Sequence, residues 1–337
     1  MKVAVTGASG FLGSHTIRAL LDAGHQVRAT ARSIARIRQA LAPHGCAADV
    51  EAVTADVTAP APVRDALAGC DAVIHAAAVY SLDSRRQREM RTTNPRGTEV
   101  VLGQARELGL GAVHVSTYTA LLPATGPLTP DSPVGDPPVP YARSKAESER
   151  IARRWQDAGA PVTIVYPGMV WGPHDPAAGE STLLARAVLG RMIPFRVPGE
   201  VPVVDVRDVA AVLVAAVEAA VPAPAGSTGA RRYLAAAEMV PMAGLQRMIT
   251  AAAGRRPPRA PVPAPVLLAA GRIGALVQRV LPVRLPVSYE GPWSATHCPP
   301  VDASATTRDL GVAFRPAADT VRDTVRWLTD DRPRVRR

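Results

Sequence analysis

The stretch Lys2-Val3-Ala4-Val5-Thr6-Gly7-Ala8-Ser9-Gly10-Phe11-Leu12-Gly13 opens the chain with a short apolar run that breaks into regularly spaced glycines. A helical pattern follows through Leu21, Gly24 turns the chain, and residues 26–31 read as a second strand. Strand, glycine turn, helix, strand is the start of a parallel α/β fold. Glycines at 7, 10 and 13 in that setting allow a tight turn, close approach of backbone to a pyrophosphate, and helix-start amides aimed at it. The spacing departs from Gly-x-Gly-x-x-Gly, but its placement is what that fingerprint requires. The loop is therefore read as a dinucleotide site, with Gly7, Ser9, Gly10, Phe11, Leu12 and Gly13 at the phosphates. The alternative is a turn with a purely structural purpose.

Working outward, β-like runs at 50–54, 72–75, 112–116 and 162–166 alternate with helical stretches at 62–68, 94–108 and 141–158. That rhythm predicts a Rossmann-type, doubly wound parallel sheet with helices on both faces. Beyond Pro167 proline and glycine punctuate the chain, a helix-bearing unit returns at 205–218, and helices at 241–253 and near the carboxyl end are separated by proline-rich linkers. The expected division is a nucleotide-binding body over 1–166 with 203–218 returning to it. Residues 167–202 and 219–330 would form a smaller interleaved substrate lobe, and 331–337 a basic tail.

Composition narrows the function classes. Of 337 residues 47% are hydrophobic and 20% charged, which suits a folded enzyme with a sizeable core. The net charge of +10 is dispersed and accompanies no nucleic-acid motif, so nucleic acid is not the expected partner. Cys46, Cys70 and Cys298 have neither disulfide nor metal-ligand spacing, so no metal is expected and a reducing compartment fits. Apolar runs at 209–217 and 266–280 are respectively too short to span a membrane and interrupted by Arg272 and Arg279. The second is read as a lid or core helix, with a membrane or partner contact as the alternative. The amino terminus lacks the length of a signal peptide, and a cytoplasmic location is expected.

The second strand ends Ala29-Thr30-Ala31-Arg32, without the acid that NAD-preferring folds place against the ribose 2′-hydroxyl. Arg32 can hold a 2′-phosphate through its planar fork, with Arg28 and Arg36 as neighbours, so NADP(H) is favoured over NAD(H). Asp56-Val57 follows the third strand near the expected adenine, and Ala76-Ala77-Ala78 after His75 leave room for ribose and phosphates. Thr117 lies just past the fifth strand. Tyr141 and Lys145 sit four apart, one turn along a helix face. Among 39 basic residues only Lys2 and Lys145 are lysines, which marks position 145 as one that needs a compact ammonium. A solvated helix face is the plain alternative. A nearby ammonium would lower the tyrosine below its ordinary value of about 10, making Tyr141 a general acid or base at a carbonyl oxygen held by Thr117.

With these motifs in place, the chain resembles an extended short-chain dehydrogenase/reductase of the NAD-dependent epimerase/dehydratase group. The matching segments are 6–13, Asp56-Val57, 75–78, Asn94-Pro95-Arg96-Gly97-Thr98, 115–117, 141–145, Pro167 to Pro173, and Val204 to Ala210. Asp302, Leu310-Gly311, Phe314-Arg315-Pro316 and Trp327 match the ending. The resemblance implies a triad of Thr117, Tyr141 and Lys145, with Lys145 also on the nicotinamide ribose. It adds Asn94, Pro167, Gly168 and Val170 to the cofactor set. Residues 28–32 resemble the NADP branch of dihydroflavonol-reductase-like enzymes. Tyr166 stands where an arginine is common, and Trp171 where a tyrosine is common. Tyr80, Met169, Trp171, Met192 and Phe195 would lie near the substrate, or else pack the lobe interface. The resemblance implies a homodimer through helices 94–108 and 141–158. The expected function is an NADPH-dependent carbonyl reductase of a small organic molecule; the alternatives are a cofactor-retaining sugar-nucleotide epimerase or dehydratase, and a non-catalytic NADP-sensing protein.

Overall fold

Strand β1 (Lys2–Thr6), buried from Val3 to Thr6, is the hub of a parallel sheet in a computed structural model that describes residues 1–81, 84–220, 231–258, 260–280 and 289–330. Helix α1 (Phe11–Asp22) leads to β2 (Gln26–Ala31), and α2 (Ile34–Leu41) leads to β3 (Glu51–Thr54). The chain then crosses to the other side of β1. Helix α3 (Pro60–Leu67) precedes β4 (Ala72–His75), α4 (Gln87–Glu107) precedes β5 (Gly111–Val115), and α5 (Pro140–Asp157) precedes β6 (Val162–Pro167). The seven-stranded sheet runs β3-β2-β1-β4-β5-β6 and ends on a seventh strand from far downstream. Two apolar clusters flank it, one under α3, α4 and α5 and the other under α1, α2 and a later helix. As the alternation predicts, this is a doubly wound Rossmann-type sheet, reversing direction between β1 and β4, where such sheets open a crevice.

The second region begins with β7 (Met169–Trp171), α6 (Glu180–Leu189), the two-residue β8 (Phe195–Arg196) and β9 (Glu200–Asp205). Helix α7 (Val206–Ala220) then returns to the body and packs on α1 and the back of the sheet. Next come β10 (Arg231–Ala235), β11 (Glu238–Pro241), α8 (Met242–Ala252), β12 (Ala260–Pro261) and α9 (Ala264–Val280). Helices α10 (Glu290–Thr296), α11 (Ser304–Leu310) and α12 (Ala317–Asp330) close the described chain. Strand β9 pairs parallel with β7 and antiparallel with β11, and β8 pairs with β12. The lobe core gathers Trp171, Leu189, Leu245, Ile249, Val321 and Val325.

Two expectations are corrected. Residues 231–235, assigned to the lobe, are the seventh strand of the main sheet, paired in parallel with β6. Arg231 and Arg232 mask its strand character, yet charged residues suit a sheet edge; Arg232 Nε donates to Gln156 Oε1 at 2.9 Å. Helix α4 starts at Gln87, ahead of the expected Asn94, because Pro95 lies inside the helix and does not open it. Proline removes one ladder bond there, but Met90, Asn94, Gly97 and Thr98 bury the helix on both sides of it.

The Val204-to-Ala210 motif ties the regions together. Buried Asp205 accepts from Arg207 at 2.6 Å, Arg207 reaches Asp323 of α12 at 2.7 Å, and Asp208 pairs with Arg315. No helix of the described residues is long and apolar enough to cross a membrane. The basic tail, 331–337, lies outside the described residues.

Candidate active site

A cavity of about 870 Å³ runs from the glycine loop, past the carboxyl ends of the central strands, and under the lobe. At its first end backbone packs against backbone. Gly7 has φ +73°, and a Cβ there would lie 2.8 Å from Ala77 Cα; a Cβ on Gly13 would fall 2.2 Å from the Gly7 carbonyl oxygen. Larger residues would close this cradle. Helix α1 starts at Gly10 with no side-chain cap and no acid in its first turn. Its amide end is thus left to an anion, as a pyrophosphate requires. The residues present fit a dinucleotide. Behind the loop, Thr6 Oγ1 shares a 2.8 Å hydrogen bond with His75 Nδ1 and accepts from the Ala77 amide at 3.3 Å, fixing β1 to β4.

Arg32 and Arg36 line this end together with Gln39, and no acid from the end of β2 joins them. Arg28 does not take part. Its guanidinium donates to the Ala66 and Ala68 carbonyls at 3.1 and 2.6 Å and pairs with Glu51 at 3.0 Å.

The middle of the cavity holds Thr117, Tyr141 and Lys145. Pro140 opens α5, which puts Tyr141 in the first turn and Lys145 one turn later. Lys145 Nζ donates to the Val115 carbonyl at 2.7 Å, and burial lowers its ammonium to about 8 against the opposing pull of Glu149. Glu149 is itself buried, bonded by Tyr166 Oη at 2.6 Å and by Arg153 at 2.8 Å. Tyr166 therefore serves one oxygen of this carboxylate, Oε1, while Oε2 is buried without a hydrogen-bond partner among the described residues, and Tyr166 does not line the cavity. Thr117 Oγ1 sits 3.2 Å from Thr119 Oγ1 at the start of a short turn. The expected lowering of the Tyr141 phenol by Lys145 is corrected: burial first, and Glu290 second, raise it. The Lys145 head is held on the Val115 carbonyl, and the charge that acts on the phenol is the Glu290 carboxylate.

At the far end the Tyr80 ring packs against that of Tyr141, centroids 4.3 Å apart and planes inclined at 44°. Met169, Leu184, Phe195, Val201, Met242 and Leu267 form an apolar wall, and the carboxylates of Asp175, Glu180 and Glu290 also line the cavity. Asp175 is engaged by the Ala177 and Gly179 amides and Thr182 Oγ1.

Of the expected residues, the loop positions 7, 9–13, Arg32, Ala76, Ala78, Pro167, Gly168 and Val170 line the cavity, as do Tyr80, Met169 and Phe195. Six do not. Asp56 turns its carboxylate to the Thr58 amide and hydroxyl, at 2.9 and 2.8 Å. Val57 instead packs toward Gly97, and Ala77 abuts Gly7. Asn94 spends its amide on both backbone groups of Val79, at 2.7 and 3.0 Å, and on Ser144 Oγ. Trp171 is wholly buried in the lobe core, and Met192 is 59% exposed on the turn after α6. Glu290 was missed. Its one sequence signal is negative: Val139, preceding Pro140, cannot cap α5, so the cap must come from elsewhere.

Comparison with known proteins follows this geometry. Residues 3–228 match the model of the NAD dependent epimerase/dehydratase family. The chain is 30% identical over 98% of its length to sterol demethylase protein B of Methylococcus capsulatus, covering 99% of that protein. It is 33% identical to 2-alkyl-3-oxoalkanoate reductase of Stenotrophomonas maltophilia, over 84% of each. Its fold is similar to UDP-glucose 4-epimerase of Bifidobacterium longum in complex with NAD+ and UDP, with a TM-score of 0.74 and 20% identity, covering 98% of this chain and 99% of that one.

Proposed function

Since the chain belongs to the NAD-dependent epimerase/dehydratase family of extended short-chain dehydrogenases/reductases, enzymes of nicotinamide-dependent chemistry, we propose that it is an NADPH-dependent reductase of an apolar carbonyl compound. The observation that carries this reading is the division of charge in the cavity. Arg32 and Arg36 line it beside the glycine loop and Lys145 its middle, and Arg86 lines it from the Ser84–Arg86 turn that packs on α9. The other described charged groups lining it, Asp175, Glu180 and Glu290, are carboxylates and stand with an apolar wall. A sugar nucleotide brings a diphosphate, which needs cations or free amides at the lobe end. An alkyl or ring ketone needs only the apolar wall. A relative named for a sterol supports an apolar substrate, and one named for a 2-alkyl-3-oxoalkanoate supports reduction of a ketone.

The roles follow from position. A bound nicotinamide supplies the hydride. Tyr141, in the first turn of α5, gives its proton to the substrate oxygen. The Thr117 hydroxyl donates a hydrogen bond to that same oxygen and holds it toward Tyr141. Lys145, one turn along α5 and held on the Val115 carbonyl, would hold the nicotinamide ribose beside Tyr141. The glycine loop holds the pyrophosphate and Arg32 the 2′-phosphate. Tyr80, packed against Tyr141, limits how the substrate approaches.

The test is a panel of alkyl, steroidal and aromatic ketones followed by nicotinamide absorbance, with NADH as control. NADPH consumption that falls about a thousandfold in Tyr141→Phe, with substrate KM little changed, is the expected outcome. Purified protein that carries tightly bound NAD and consumes no NADPH would favour an epimerase or dehydratase and sink the reductase reading.

A further inference from the structure

The first turn of α5 is short of a cap. Val139 offers no side-chain acceptor, and Pro140 removes one orphan amide but leaves those of Tyr141 and Ala142. Both are taken by Glu290, whose Oε1 accepts from Ala142 at 2.9 Å and whose Oε2 accepts from Tyr141 at 3.2 Å. Glu290 is the first residue of α10, lies 149 positions downstream, and is 7% exposed. A carboxylate at a helix start is favoured by the dipole, and two backbone bonds leave it one orientation. The same side chain lines the cavity beside Gly291, Pro292 and Ser294.

We propose that Glu290 is a positioning residue for proton transfer: it ties the seating of α10 to the placement of Tyr141 and biases that hydroxyl toward giving a proton over taking one. This rests on the reductase reading above. The bias comes from charge. Among the described residues, the titratable groups that interact with Glu290 are the phenols of Tyr141, Tyr118 and Tyr80 and the carboxylate of Glu180 from α6. None of these is a cation that would neutralise it. Burial raises its carboxyl to about 7, the Ala142 and Tyr141 amides oppose the rise, and Glu180 adds to it. Above that pH the anion opposes phenolate formation on Tyr141. Reduction needs the protonated hydroxyl and is favoured; oxidation of the alcohol needs the phenolate and is held back.

The decisive variant is Glu290→Gln, neutral and of the same shape. Its alcohol oxidation is expected to rise at a pH about one unit lower than in the native protein. KM for NADPH stays the same. Glu290→Asp keeps the charge but shortens the reach, so kcat falls about tenfold in both directions with no shift of the pH profile. A second readout needs no turnover: tyrosine ring-carbon NMR, with Tyr141→Phe identifying the resonance. Tyr141 should titrate at lower pH in Glu290→Gln. A moved titration with no substrate found would sink the reductase reading and leave the positioning role standing. If Glu290→Gln lowers only the melting temperature and moves neither titration nor profile, Glu290 is a structural cap and the proposal is wrong. Should Glu290→Gln fail to fold, Glu290→Asp decides: native kcat in that variant overturns the proposal.

Discussion

The two ends of the cavity are built in opposite ways. The cofactor end draws on consecutive strand ends of one sheet, with Gly7, Ala76 and Thr117 arriving from β1, β4 and β5, and its charged side chains there are arginines. The lobe end gathers Met169, Glu180, Val201, Leu267 and Glu290 from five separate elements, and its charged side chains are carboxylates. A ligand that spans both ends must be anionic on one side and uncharged and apolar on the other. NADPH with a ketone satisfies this, whereas two phosphorylated molecules end to end do not. The contrast also explains why the first end varies little in design: backbone contacts such as Gly13 on the Gly7 carbonyl permit no side chain. The wall at the other end is made of side chains alone, so each can be exchanged.

Reversing the charge at the cofactor end is the strongest way to break the contrast. Arg32 lines the cavity, and none of the described hydrogen bonds or ion pairs uses its guanidinium. Arg32→Asp should lose the 2′-phosphate contact and gain an acceptor for a ribose hydroxyl, shifting the NADPH-to-NADH ratio of kcat/KM by about a hundredfold. Unchanged preference would move that contact to Arg36 or Arg86.

This asymmetry also decides what could be read from the sequence. Strand, glycine turn and helix are local signals, so the loop and the order of the first six strands were legible from spacing. The Tyr141–Lys145 pair is local too. Long-range features were not. Strand β10 is disguised by two arginines that only an edge position explains, and α4 by a proline inside the helix. Trp171 was expected near the substrate or packing the lobe interface, and it is buried in the lobe core. Met192, equally apolar, ended on a turn in solvent. Asn94 and Asp56 were expected at the cofactor, but polar side chains next to bending backbone serve that backbone first. Glu290 meets its partners across 149 positions, a distance at which no periodicity operates.

A smaller effect sharpens the lobe end. Phe195 is half-buried on β8 and lines the apolar wall. Phe195→Ala removes part of that wall without touching Tyr141. KM for the most apolar ketone should rise about tenfold while KM for NADPH and kcat hold. An equal rise in both KM values would show that the two ends are not independent.

The subtlest difference between the ends is their response to acid. His15 lies on α1 behind the glycine loop, its Nε2 3.0 Å from the Pro173 carbonyl and its ring 4.5 Å from that of His44. Burial, then His44, lowers it from 6.5 to about 4. Its folded value is below its unfolded one, so its contribution of about 3 kcal/mol is complete above pH 6.5 and is lost as pH falls toward about 4. Glu290 runs the other way. Raised from 4.5 to about 7, it contributes in full below about 4.5, and that stability is lost as pH climbs through about 7. The two terms are similar in size and opposite in sign across the same window, so they largely cancel there. Buried His75 is lowered to about 3 and His114 well below its ordinary value, both chiefly by desolvation, so the net slope still favours neutral over acidic pH. His15→Gln keeps a donor for the Pro173 carbonyl and removes the charge, and should flatten denaturant stability measured between pH 4.5 and 6.5. Glu290→Gln should steepen it. If both variants bend the curve in the same direction, the pairing of a histidine-backed cofactor end with a carboxylate-sealed lobe end is wrong. Opposite bends would show that each end titrates through its own buried group.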